Sequence, residues 1–272
     1  MLAFTDWAVI APFAAIVAVA VYFHTVTGFG LAMIVMGAAS GMGVAAVAAL
    51  ASVISIVTLL NSAVALRGNL QHLNWRIAGG LIAGVLPASV LGVILLEYLS
   101  TAATDIVQLL LGLVIIYGGV NFAWRPEPLR VVSSAPSFAA FGFLGGLIGG
   151  LFGIPGPPLI FQFYRQPLSL AEIRSFLIFV NAVIAGARTL FVGAQGGLTE
   201  DVLLLSAICL PVTALATMAG RRYPPPLRAE AMRRIAFVVL VLMGVSLMVP
   251  VLASYVVAFN MQHLEGFYAC QC

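Results

Sequence analysis

Twice in this chain a glycine-rich break interrupts an apolar stretch of membrane length, and each break heads one of two similar halves. The first reads His24-Thr25-Val26-Thr27-Gly28-Phe29-Gly30 before the apolar run Leu31 to Val35. The second reads Gly149-Gly150-Leu151-Phe152-Gly153-Ile154-Pro155-Gly156-Pro157-Pro158 before Leu159 to Phe163. In a bilayer an unmade backbone hydrogen bond costs several kcal/mol, so irregular backbone survives only inside protein or beside a water-filled cavity. Paired breaks at matching places in two halves point to the binding site of a secondary transporter.

Composition fixes the class. Apolar residues make up 62% of the 272 and charged residues 8%, against about 25% charged in a soluble domain. The chain reads as an all-α polytopic membrane protein. Its arginines sit in short connections, a topogenic pattern rather than a nucleic-acid footprint. Cys209, Cys270 and Cys272 give no disulfide framework, and Cys270-Gln271-Cys272 reads as a frayed tail rather than a metal site. Asp6 is the only charge before the first apolar run, so the chain shows no basic n-region and Trp7 to Phe23 is expected to be retained.

Eight apolar windows follow one another: Trp7 to Phe23 with its continuation to Ala39, Ala45 to Leu66, Ile77 to Leu96, Ile106 to Phe122, Phe138 to Phe163, Phe176 to Val192, Val202 to Gly220 and Ile235 to Phe259. All read as helices by length. Landmarks recur at a nearly constant offset: Gly28 and Gly153, Asn61 and Asn181, Arg67 and Arg188, Pro87 and Pro211, Gly118 and Gly244. The pattern predicts an internal duplication, with a first repeat over 1–124, an inter-repeat loop over 125–137, a second repeat over 138–260 and a tail over 261–272.

Two topologies remain open. The basic connections are 67–76, 124–136, 165–174 and 221–234, whereas 97–105 and 193–201 carry only acids. If the two broken segments enter and return, every basic loop falls on one face, as the positive-inside rule prefers. The halves are then inverted repeats, each one re-entrant hairpin plus three crossing helices. Against this, Trp7 to Phe23 alone is long enough to cross. Either scheme puts both termini on one face, and their sparse positive charge suggests the outer one.

A broken helix aims unpaired N–H groups and about half a positive charge at its start, which makes an anion site without a lysine. Gly28, Phe29, Gly30, Gly153, Pro155, Gly156 and Pro157 would bring backbone to a ligand, and Thr25 and Thr27 would add hydroxyls. Gly145 to Gly150 fit helix packing better. Arg188 lies in an apolar segment, either as an anion ligand or as an anchor that snorkels from near the segment end. Asn61 and Asn181 either tie helices together or meet substrate, and Ser52, Ser55, Thr58 and Ser62 share a helical stripe with Asn61. His24 is a candidate proton carrier or a plain interfacial residue. No carboxylate lies centrally in an apolar segment, so a cation cage finds no support, and the scattered histidines offer no enzyme's cluster. No metal or cofactor is expected.

These two breaks resemble the paired signatures of the sulfite exporter TauE/SafE family, over about residues 8 to 257. The likeness rests on Thr27-Gly28-Phe29-Gly30 and on Gly146 to Pro158. Where many members carry a further glycine run, this chain has Ile154-Pro155-Gly156-Pro157, which stiffens the second loop. The resemblance implies a bacterial inner-membrane permease that moves sulfite, sulfoacetate or another small sulfur-containing anion outward, with proton motive force as the energy source. The residues themselves suggest alternating access around the two breaks, with Thr25, Thr27, Gly28 and Gly30 meeting Gly153, Gly156 and Pro157 at the site; the alternative is an anion channel or a permease for another small organic anion. The partners expected are that anion, the lipid bilayer and a homo-oligomeric copy.

Overall fold

A computed structural model describes residues 7–41, 45–102, 104–123 and 129–223, with single positions at 241, 245, 248 and 249. The last apolar window, the tail with Cys270 and Cys272, most of the 221–234 loop and the start of the inter-repeat loop lie outside the described residues.

The described chain is helical, and each break divides its window in two. The helices are α1 (Trp7–Thr27), α2 (Leu31–Gly41), α3 (Val47–Ala65), α4 (Trp75–Ala102), α5 (Thr104–Ala123), α6 (Ala135–Phe152), α7 (Gly156–Tyr164), α8 (Leu170–Ala194) and α9 (Glu200–Arg222). Six of them, α1, α3, α4, α6, α8 and α9, are long and apolar enough to cross a membrane, so the protein is multi-pass. At about 1.5 Å per residue, α2 with 11 residues and α7 with 9 are half-length. Several helices outrun their apolar windows because their first turns are polar. Ser169 accepts the Glu172 N–H while Glu172 reaches back to Ser169, a capping box that starts α8 well before Phe176. Thr199 caps α9 through the Val202 N–H.

At the second break the chain turns back. Gly145 of α6 faces Leu159 of α7, Phe138 faces Phe163 at 5.7 Å between ring centres, and Gln166 beyond α7 donates to the Ser133 hydroxyl at 3.0 Å. One number falls as the other rises, so α7 descends beside α6. At the first break, α1 ends level with the last turns of α3 and α9. There the Tyr22 hydroxyl donates to the Tyr223 carbonyl at 2.7 Å, and Arg221 donates to the carbonyls of Val64 and Arg67. Connections 67–74, 129–134 and 165–169 gather at this same end.

The halves interlock. α3 packs on α8; α4 packs along α6 and against α8, while α9 packs along α1 and against α3. The α4–α6 seam is closest. Gly80 meets Ala135, Gly84 meets Ala139 and Gly92 meets Gly150, so the two helices run parallel with backbones in contact. A methyl on Gly146 would sit 2.6 Å from the Val85 carbonyl, closer than packed atoms tolerate. Gly142, Gly146 and Gly150 thus serve helix packing, as expected of that run.

Candidate functional site

α1 closes with the Gly28 N–H donating to the His24 carbonyl at 2.7 Å. Gly28 (φ +89°) and Gly30 (φ +97°) then take left-handed backbone that favours glycine. The Thr27 hydroxyl braces the turn, lying 2.8 Å from the Phe23 carbonyl and 2.9 Å from that of Phe29. The Phe29 ring stands edge-on to Phe23 at 5.9 Å. The first bond of α2 runs from the Ile34 N–H to Gly30 at 3.0 Å. The N–H groups of Leu31, Ala32 and Met33 are left without an acceptor among the described residues.

The second break starts in the same way, with the Gly153 N–H on the Gly149 carbonyl at 2.8 Å and φ at +70°. It continues differently. Pro155 precedes α7, whose first residues are Gly156, Pro157 and Pro158. Proline has no N–H, so of these positions Gly156 alone offers a donor. Arg188, 2% exposed, donates to the Gly150 and Leu151 carbonyls. It thereby satisfies the carbonyl end of α6 and holds the tip of the hairpin.

The two breaks meet around adjoining cavities. One is bounded by His24, Gly30, Leu31, Met33, Gly156 and Asn181 together with Phe29, Ala32, Thr58, Ile154 and Pro155. The other is bounded by Ile54, Ser55, Gly153, Ile184 and Ala185, and it shares Thr58, Pro155 and Asn181 with the first. Each has a volume of about 10 Å³, roughly the space of one water. The donor-bearing start of α2 therefore faces the first chamber, and the second is walled mainly by aliphatic groups. His24 is 1% exposed, with its ring beside the Phe29 backbone.

The structure thus groups His24, Phe29, Gly30, Gly153, Pro155, Gly156 and Asn181 at one place. It sets five other expected site residues elsewhere, Thr27 among them as the brace of the first turn. Thr25 donates to the Val21 carbonyl and accepts from Asn61. The Asn61 amide also donates to Thr217 at 2.8 Å, which ties α1, α3 and α9 together. Gly28 packs on the backbone of Arg174. Arg188 points into the α6 end, where the Gly150 and Leu151 carbonyls take its donors. The Pro157 side chain lies outside the described residues. Sequence reasoning expected donors at a helix start without singling out those of Leu31, Ala32 and Met33, and it passed over Ile154 as a site residue. The amides carried no residue-type signal, whereas Thr58 was already visible in the polar stripe of α3.

The sequence model of the family described as sulfite exporter TauE/SafE matches residues 13–247. A protein of Cupriavidus necator named "Probable sulfite/organosulfonate exporter TauE" is 52% identical over 235 residues, which is 86% of this chain and 92% of that protein. The Arabidopsis thaliana protein "Sulfite exporter TauE/SafE family protein 6" is 33% identical over 34% of this chain and 22% of its own length. No solved structure matches. The chain belongs to the sulfite exporter TauE/SafE family.

Proposed function

With that membership as premise, we propose that this chain is a secondary transporter exporting a small sulfur-containing anion, sulfite or a short organosulfonate, by alternating access around its two breaks. The observation that carries the reading is the convergence of both breaks on one buried place, where the start of α2 presents three unpaired N–H groups. A sulfonate brings three acceptor oxygens and a negative charge, both suited to a helix start. Asn181, Thr58 and the Gly156 N–H complete the ring of groups around it, and Ile54 and Ile184 give a carbon chain somewhere to lie.

A space for one water admits no such anion, so uptake requires one hairpin to withdraw from the other. That closed centre favours a transporter over an open channel. The opposed hairpins and exchanged packing partners support reading the halves as inverted repeats. The clustered basic loops support placing that end in the cytoplasm and the termini outside, in a bacterial inner membrane. His24, buried beside the helix start, is where a co-transported proton would reside.

Purified protein in liposomes loaded with labelled sulfite or sulfoacetate tests this. Efflux is expected to saturate, to be stimulated by unlabelled sulfite or sulfoacetate outside, and to ignore acetate. Flux that rises linearly with concentration and shows no stimulation from the far side would make the protein a channel.

A further inference from the structure

We propose that Arg174 is a second anion-binding residue, at which the substrate is held on the basic-loop side before it enters the central cavity; this rests on the transport reading above. Arg174 sits in the first turns of α8, half-buried. A methyl on Gly28 would lie 3.1 Å from its Cα and carbonyl oxygen, so this turn of α8 is the wall of the first break. Its guanidinium makes no hydrogen bond or ion pair among the described residues, although Arg188, Arg165 and Arg221 are all engaged. The nearest acid in its turn, Glu172, is committed to the cap at Ser169, with contacts of 2.8 and 2.7 Å.

The positive charges here face one another. Arg221, held on the carbonyls of Val64 and Arg67, repels Arg174. Gly28, which packs on Arg174, follows one turn after His24, which lines the cavity. Exposure falls in the same order, from Arg221 at the surface through Arg174 to buried His24. A half-buried cation with a like-charged neighbour is costly unless an anion visits it, and ionisable groups at such depth mark substrate paths by default. The path that results is graded: an anion leaves water at Arg221, is desolvated against Arg174, and passes Gly28 to reach the amides of α2.

Transport of sulfoacetate from liposomes tests this with Arg174→Gln, Arg174→Lys and, as a control, Arg76→Gln, which alters an exposed arginine on the same face. For Arg174→Gln the expected KM on the basic-loop side is raised about tenfold or more, with maximal rate within about twofold, as for loss of one charged hydrogen bond. Arg174→Lys is expected to recover most of that loss, because it keeps the charge without the fork. An Arg174→Gln protein with wild-type KM overturns the proposal and leaves the transport reading intact. Wild-type protein that moves neither sulfite nor sulfoacetate overturns the transport reading itself.

If Arg174→Gln does not fold, Arg174→Cys in a background lacking the three native cysteines gives the answer by labelling. A sulfonate-bearing thiol reagent is expected to react from the basic-loop side, drawn by Arg221, faster than its trimethylammonium counterpart and to be slowed by sulfoacetate. Equal rates without protection overturn the proposal.

Discussion

The two breaks end one helix alike and begin the next one differently. Both close on a left-handed glycine whose N–H returns to the carbonyl four residues back. After that, the first break uses Gly30 at φ +97° and opens into a helix with its early amides free. The second uses Pro155 at φ −76° and opens into Gly-Pro-Pro. One side of the centre supplies hydrogen-bond donors and partial positive charge; the other supplies a stiff, nearly donor-free surface. The two breaks thus share a backbone turn and differ in chemistry. On the transport reading proposed above, the anion would be bound from one side and shaped from the other.

The largest expected contrast is between Gly28→Val and Gly153→Ala. At Gly28 a side chain meets the Arg174 backbone at 3.1 Å and a disfavoured φ, so little folded protein is expected by size-exclusion chromatography in detergent. At Gly153 the nearest atom is 3.6 Å away, leaving only the left-handed penalty of about 1–2 kcal/mol, visible as a lowered Tm. Comparable losses at both positions would erase the distinction between the breaks. Next comes Arg188→Gln, which removes charged hydrogen bonds to the α6 carbonyls. We expect about 1.5–3 kcal/mol less stability with ligand affinity per folded molecule unchanged; weakened affinity at equal folded yield would return Arg188 to the anion site.

The asparagines then sharpen the same contrast. Asn61→Ala is expected to cost about 1–3 kcal/mol of stability by stranding the hydroxyls of Thr25 and Thr217, with KM little changed. Asn181→Ala should do the reverse, raising KM about tenfold, the worth of roughly 1.4 kcal/mol. Thermal unfolding and transport measured on the same preparations separate them. The smallest effect is that of Pro158→Ala, which adds a donor to the second break. We expect sulfoacetate binding about threefold tighter, near the lower end for one neutral hydrogen bond, and looser binding would mean that stiffness there outweighs donors.

Much of this was legible in the residues. The breaks announced themselves through glycine and proline, whose backbone chemistry is local, and the helices through apolar length. The half-length arms and the packing role of Gly145 to Gly150 follow from the same signals. The proline-poor and proline-rich starts of α2 and α7 were also readable, since a missing N–H is a property of the residue itself. The role of Arg188 was not legible, because its partners are the carbonyls of Gly150 and Leu151, which every residue possesses. Asn61 and Asn181, equal in offset, diverge only through what α1 and α9 place beside the former. Arg174 looked like one more charge at a loop edge, and only the fold puts Gly28 against it.

The exchange of partners along α4 and α6 bears on how the protein is made. Helix α4 is synthesised with a row of bare glycine backbone, Gly80, Gly84 and Gly92, whose partners Ala135, Ala139 and Gly150 emerge 55 to 58 residues later in the chain. Until then the row faces lipid, which fills such a groove poorly. The nascent first half is thus an open clasp, and release of α6 into the bilayer is the event that shuts it.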